Sequence, residues 1–160
     1  MSGSYDVGQI CLNGHTVNTT SQRRPQHSKK FCDKCGAATT TTCQACGAPI
    51  QGDYYVPGFI GASDYSPPAF CHNCGKPYPW TEARLKAARD LSDELDNLSD
   101  DEKENLKRSL DDIVRDTPQA TVAAARFKKL IAKAGKTAAD GFREILVDVV
   151  GEAAKRTIWG

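Results

Sequence analysis

Seven cysteines and one histidine carry the chemistry of this chain, and they fall into four pairs. Cys11 and His15 form a C-x3-H pair, while Cys32/Cys35, Cys43/Cys46 and Cys71/Cys74 are each C-x2-C. A structural zinc ion takes four protein ligands in a closed tetrahedron, so four pairs suffice for two zinc ions. One site is then three cysteines and a histidine, the other four cysteines. No cysteine is left over. Gly36, Gly47 and Gly75 each follow the second cysteine of a C-x2-C turn, where a residue free to adopt positive φ lets the chain close around an ion.

Other uses of these cysteines fit less well. A disulfide framework wants an even count and a secretory context, whereas the count here is seven and MSGSYDVGQI has no apolar signal core. None of the C-x2-C pairs opens a helix in a βαβ context, which argues against redox work. An iron-sulfur cluster would take four cysteines and leave the C-x3-H pair unexplained. His15 reads as a ligand because Cys11 would otherwise have no partner. His72, between two ligands, and His27, in a polar stretch, read as exposed residues without a nucleophile or base beside them.

The pairs can be combined in two ways. Sequential pairing gives Cys11, His15, Cys32 and Cys35 to one ion and Cys43, Cys46, Cys71 and Cys74 to the other. The alternative joins Cys32/Cys35 to Cys43/Cys46 and sends Cys11/His15 to Cys71/Cys74, with a large outer loop. Loop-length priors favour the sequential pairing and leave the other sterically open.

Such ligands need short strands to hold them, and the flanking residues supply candidates. Gln9-Ile10, Phe31 and Phe70 precede three of the first ligands, and the β-branched run Thr39–Thr42 leads into Cys43. The stretch 51–70 carries Tyr54, Tyr55, Phe59 and Tyr65 between the knuckles of the second site. It reads either as cover for a very small core or as a surface for a peptide or base; cover is the more ordinary use.

Composition changes abruptly near residue 80. Every cysteine and histidine, and every proline except Pro118, precedes it. The remainder has apolar residues at helical spacing. The fold class expected is a small zinc-bound β module, a double zinc ribbon over residues 1–80, followed by an all-α bundle or helical hairpins over 81–160. Four helices are predicted. The first spans 82–98, with Thr81 as N-cap and Trp80 stapling onto Leu85. The second follows a Ser99/Glu102 capping box and buries Leu106, Leu110, Ile113 and Val114. The third starts at Thr117-Pro118, carries Phe127, Leu130, Ile131 and Ala134, and stops at Gly135. The last runs unbroken from about Thr137 through Phe142, Ile145, Leu146, Val149, Val150 and Ala153 to Ile158-Trp159.

Charge narrows the partners. The 160-residue chain has a formal net charge of +1, so no global basic character invites nucleic acid. Within it, residues 82–116 have net charge −5 and residues 117–136 have +5. Arg126, Lys129, Lys133 and Lys136 could therefore meet nucleic acid or an anionic membrane, or simply offset the acidic helices beside them, which the equal and opposite totals favour. Gly135-Lys136-Thr137 ends like a phosphate loop, but Leu130 stands where that motif needs glycine. No apolar run reaches the roughly 18 residues of a membrane span, although the last helix has a face broad enough for peripheral docking. Unoxidised cysteines and the lack of a targeting segment point to the cytoplasm.

The run CLNGH…FCDKCGA…CQACGAPIQGDYY…CHNCGKPYPW resembles bacterial proteins of domain-of-unknown-function family 2321, closely over residues 5–81 and loosely beyond. The resemblance implies an intracellular bacterial protein with zinc ribbons and names no reaction. With both zinc sites filled by protein ligands and no catalytic residue in sight, the expected function is that of a non-enzymatic adaptor or regulator contacting another protein. The competing expectation is nucleic-acid binding through the ribbon and the helix 126–136.

Overall fold

The computed structural model describes residues 3–61 and 64–160. Contacts divide the chain into two units, Met1–Glu82 and Ala83–Gly160.

The first unit holds two small antiparallel sheets. Strand β1 (Ser4–Val7) pairs with β5 (Gln51–Tyr55), while β2 (Gln9–Cys11) lies between β3 (Thr16–Asn18) and β4 (Thr39–Thr40). Strands this short are marginal alone, and buried polar side chains tie the intervening loop to them. Asp6 accepts from the backbone N–H groups of Gln22 and Val7 and from Arg23 Nε. Gln9 Nε2 donates to Lys29 O, and Lys29 N–H donates back to Gln9 Oε1. Asn18 Nδ2 donates to Arg24 O and Ser28 Oγ. The polar stretch 21–30 around His27 is therefore anchored at three points. It includes a short 3-10 turn, Pro25–His27.

The second unit is built from helices. Helix α1 (Pro79–Asp93) begins two residues before the expected N-cap. Proline at N1 loses no helical hydrogen bond and already has the right φ. Thr81 is thus inside the helix, fully buried, with its hydroxyl donating to Ala69 O at 2.8 Å. Trp80 is not an outlying staple either; it stacks on Tyr78 and donates from Nε1 to Pro68 O. The helix stops at Asp93 rather than at 98, yet Leu95 and Leu98 stay buried in the turn that follows.

Helix α2 (Asp100–Ile113) has the expected capping box, with both reciprocal hydrogen bonds made between Ser99 and Glu102. Helix α3 (Pro118–Ala134) packs against α2, α4 and α5. Its buried face is Ala120, Ala123, Ala124, Phe127 and Ile131, whereas Leu130 and Ala134 are half-buried. The alanines, which a search for large apolar residues passes over, let neighbouring backbones come close. Gly135, at φ +107°, ends the helix as expected.

The expected single last helix is two: α4 (Lys136–Leu146) and α5 (Glu152–Trp159). In the turn between them the Val149 and Val150 N–H groups both donate to Leu146 O at 3.0 Å, and the Gly151 N–H donates to Ile113 O at 3.1 Å. Phe142, Leu146, Val149, Val150, Ala154 and Ile158 are buried within this unit. No helix among the described residues is long and apolar enough to cross a membrane.

Candidate metal centres

Three turns of the first unit repeat one backbone design. Cys32, Cys43 and Cys71 each donate an N–H to the carbonyl five residues on, at 2.8, 2.8 and 2.9 Å. Gly36, Gly47 and Gly75 each return an N–H to that first cysteine, and all three sit at φ +76°. A side chain at that φ is strained, which explains why glycine recurs there. Isolated bridges Phe31–Ala38, Thr42–Pro49 and Phe70–Pro77 close the base of each turn. Within each turn the N–H two residues after the first cysteine points at its Sγ at 3.4 Å. The Cys11–His15 turn is a variant: Gly14 has φ +93°, and His15 N–H lies 3.2 Å from Cys11 Sγ.

The turns converge in the sequential grouping. Cys11, His15, Cys32 and Cys35 form one cluster and Cys43, Cys46, Cys71 and Cys74 the other, with the ligand atoms of each cluster within 4.8 Å of one another. Strand β2 delivers Cys11, and β4 connects the Cys32/Cys35 turn to the Cys43/Cys46 turn. The first cysteine of every pair is buried, while Cys35, Cys46 and Cys74 are exposed.

Edge lengths test the clusters against a tetrahedral ion. With Zn–S of about 2.3 Å and Zn–N of about 2.0 Å, a regular tetrahedron has S···S edges of about 3.8 Å and S···N edges of about 3.5 Å. The Sγ–Sγ separations are 3.7 Å for Cys11–Cys35, 3.8 Å for Cys43–Cys74 and 3.7 Å for Cys46–Cys71. His15 Nδ1 lies 3.4 Å from Cys11 Sγ and 3.5 Å from Cys32 Sγ. A disulfide would need about 2.05 Å. The donor sets fit one tetrahedral ion each, and two clusters that could hold metal are what the geometry provides.

Local dipoles favour the thiolate at several of these sulfurs. Cys35 is brought down to about 6, first by the Ala37 backbone N–H and then by the Asn13 amide. Cys71 is likewise brought down to about 6, first by the Cys74 N–H. The Asn73 amide, ahead of the Ala48 N–H, lowers Cys46. Burial pushes Cys11 up.

Two of these donors were not picked out from the sequence. Asn13 Nδ2 donates to Cys35 Sγ at 3.3 Å, and Asn73 Nδ2 to Cys46 Sγ at 3.5 Å. Each asparagine stands two residues after the first cysteine of its own turn and reaches the exposed second cysteine of the facing turn. The signal was present: C-x-N recurs in CLNGH and CHNC and not in the other two turns.

A model of the family described as "Uncharacterized protein conserved in bacteria (DUF2321)" matches residues 4–158. The chain belongs to that family. The match takes in both clusters and nearly all of the helical unit, well beyond the 5–81 over which the sequence resemblance was close. No curated protein and no solved structure matches the chain.

The remaining candidates do not join either cluster. His27 and His72 are exposed and form no metal-competent group among the described residues. Of the basic stripe, Lys133 pairs with Glu102 of α2 at 2.7 Å and Lys136 with Asp140 of α4 at 3.2 Å. Arg126 and Lys129 are exposed and make no ion pair among the described residues. One cation of the stripe thus faces the acidic helix, and the charge offset is partial. In the stretch 51–70, Tyr65 is cover: its hydroxyl donates to Gln51 O at 2.6 Å, and burial first, then Asp53, raises it to about 12. Residues 62 and 63 of that stretch lie outside the described residues. Tyr54, Tyr55, Phe59 and Ile60 are exposed.

Proposed function

We propose that this chain is a non-catalytic interaction module whose first unit is held together by two structural zinc ions. Each ion would have a complete set of protein ligands: Cys11, His15, Cys32 and Cys35 for one, Cys43, Cys46, Cys71 and Cys74 for the other. Zinc in such a site supplies cross-linking and leaves no position for water or substrate. The observation that carries this reading is the match of five of the twelve ligand–ligand separations to tetrahedral edges, with the rest within 4.8 Å. With its thiols committed to metal, the protein works in a reducing compartment, for which the cytoplasm is the proposal.

The partner proposed is another protein. Seven thiolates and two Zn2+ ions add −3 to the formal charge of +1, so the loaded chain carries −2. A net negative chain is poorly suited to a phosphate backbone, and the basic stripe on α3 is partly neutralised by α2. The reading is tested by native mass spectrometry of protein purified without added metal. Two zinc ions per chain are expected; one ion, or an iron cluster, would defeat it.

A further inference from the structure

The first unit carries a cleft of about 550 Å3 between the anchored segment around Arg23 and the exposed end of β5. Arg23 is held in an unusual way for a surface arginine. Its Nε donates to Asp6 Oδ2 at 2.9 Å, and its guanidinium carbon sits 4.1 Å from the centre of the Tyr55 ring. Asp6 is in turn fixed by the N–H groups of Val7 and Gln22. The head group is therefore fixed in orientation, while its two terminal nitrogens make no hydrogen bond or ion pair among the described residues. A fixed guanidinium with both terminal nitrogens uncommitted presents a planar fork that matches a carboxylate bidentately.

The apolar side chains of the cleft are unusually bare. Phe59 is 73% exposed and Ile60 fully exposed, beside Tyr55 at 38%. Arg24, next along the rim, is exposed and its side chain has no partner among the described residues. Asp53, the acid of the cleft, already accepts from the Thr19 hydroxyl at 2.5 Å. Large apolar side chains grouped this way mark an interaction surface more often than a solvated one.

Charge decides what covers it. With both ions bound, the unit has six Lys/Arg against five Asp/Glu and the seven thiolates, for a net −2. A polyanion is repelled by the unit as a whole, whereas a single carboxylate feels chiefly the arginine pair at the rim. Phe59 and Ile60 fit an aliphatic or aromatic side chain. We infer that the cleft binds an extended acidic–apolar peptide segment of another protein. The Arg23 fork takes an Asp or Glu carboxylate, and Tyr55, Phe59 and Ile60 cover the neighbouring bulky apolar residue. The inference rests on the interaction-module reading and names the partner's chemistry.

The test uses the zinc-loaded 160-residue chain, immobilised and presented with a random peptide library on phage. Enriched peptides are remade with a fluorescein label and titrated by anisotropy. Peptides pairing Asp or Glu with Phe, Leu, Ile or Trp should be enriched. Phe59→Ala, which removes an exposed ring, and Arg23→Lys, which keeps the charge and loses the fork, should each weaken binding roughly tenfold. Lys128→Gln, in the other unit, should leave it unchanged. Zinc content measured on every variant guards against misfolding. The cleft proposal is overturned if no such class is enriched, if both cleft variants bind normally, or if a labelled oligouridylate displaces the peptide. Two zinc ions with no peptide binding would sink the cleft alone, whereas a chain without structural zinc would sink the module reading itself.

Discussion

Cysteines aside, the buried apolar side chains of Met1–Glu82 among the described residues are Ile10, Ile50, Tyr78 and Trp80. In Ala83–Gly160 they number nineteen, centred on Leu106, Leu110, Ile113, Phe127, Phe142 and Leu146. Two stretches of nearly equal length thus have quite different sources of stability. The helical unit follows the ordinary route, in which amphipathic faces exclude water and pack. The first unit buries too little apolar surface for that. Its four best-buried ligands, Cys11, Cys32, Cys43 and Cys71, occupy the places where a core would be. Under the proposed function, the contrast teaches that metal ligands take the place of hydrophobic mass in the first unit.

Removing metal should break this comparison most sharply. A strong chelator should unfold the first unit and leave the helical signal at 222 nm largely intact, because no ligand lies beyond Cys74. Loss of the helical signal on chelation would show that the helices depend on the metal-bound unit. Acid should act in the same direction. Zinc-bound thiolates have depressed pKa values, so their contribution is present above the ordinary thiol range and is lost as pH falls through the bound values. Zinc release should therefore precede acid unfolding of the helices, followed by zinc assay and circular dichroism on the same samples.

The mirror experiment is Phe127→Ala. Phe127 is fully buried on α3 and meets Phe142 edge-to-face at 5.4 Å. Its truncation should cost about 3–5 kcal/mol in the helical unit while zinc content stays at two ions. A loss of zinc with this variant would blur the distinction between the units.

A smaller effect is expected at Asp6, a polar anchor of the first unit. Burial by itself would raise its pKa, but N–H groups from Gln22, Val7 and Arg23 and the Arg23 side chain outweigh burial and lower it. Asp6→Ala leaves these partly exposed donors without their acceptor and should cost about 1 kcal/mol. Since the folded pKa is depressed, the ionised carboxylate's contribution is present above the unfolded value, near 3.9, and is lost as pH falls through the folded one. Thermal melts of zinc-loaded protein should thus show a difference between Asp6→Ala and the native chain that is constant across the neutral range. A difference that shrank between pH 8 and 6 would contradict the assignment.

What could be read from the sequence follows the range of the interaction. The eight ligand residues, the Ser99/Glu102 box, Pro118 and Gly135 are local signals, set by neighbours within a few positions. The pairing of β1 with β5 was not legible, since it joins residues almost fifty apart with little apolar alternation. Gly151 has no local feature that says its N–H will donate to Ile113, and so the final helix was expected unbroken. Thr81 looked like a cap because Ala69, the acceptor of its hydroxyl, is twelve residues away. The anchoring of 21–30 by Asp6, Gln9 and Asn18 was missed for the same reason, and with it the orientation of Arg23. The ligands were conspicuous; the groups that shape the surface around them were not.

Zinc K-edge absorption spectroscopy of the purified chain tests the central claim most directly. Seven sulfurs and one nitrogen shared by two four-coordinate ions predict an average shell dominated by sulfur at about 2.3 Å, with a minor nitrogen contribution at about 2.0 Å. A shell rich in oxygen, or metal–metal scattering from a shared cluster, would contradict two closed tetrahedral sites.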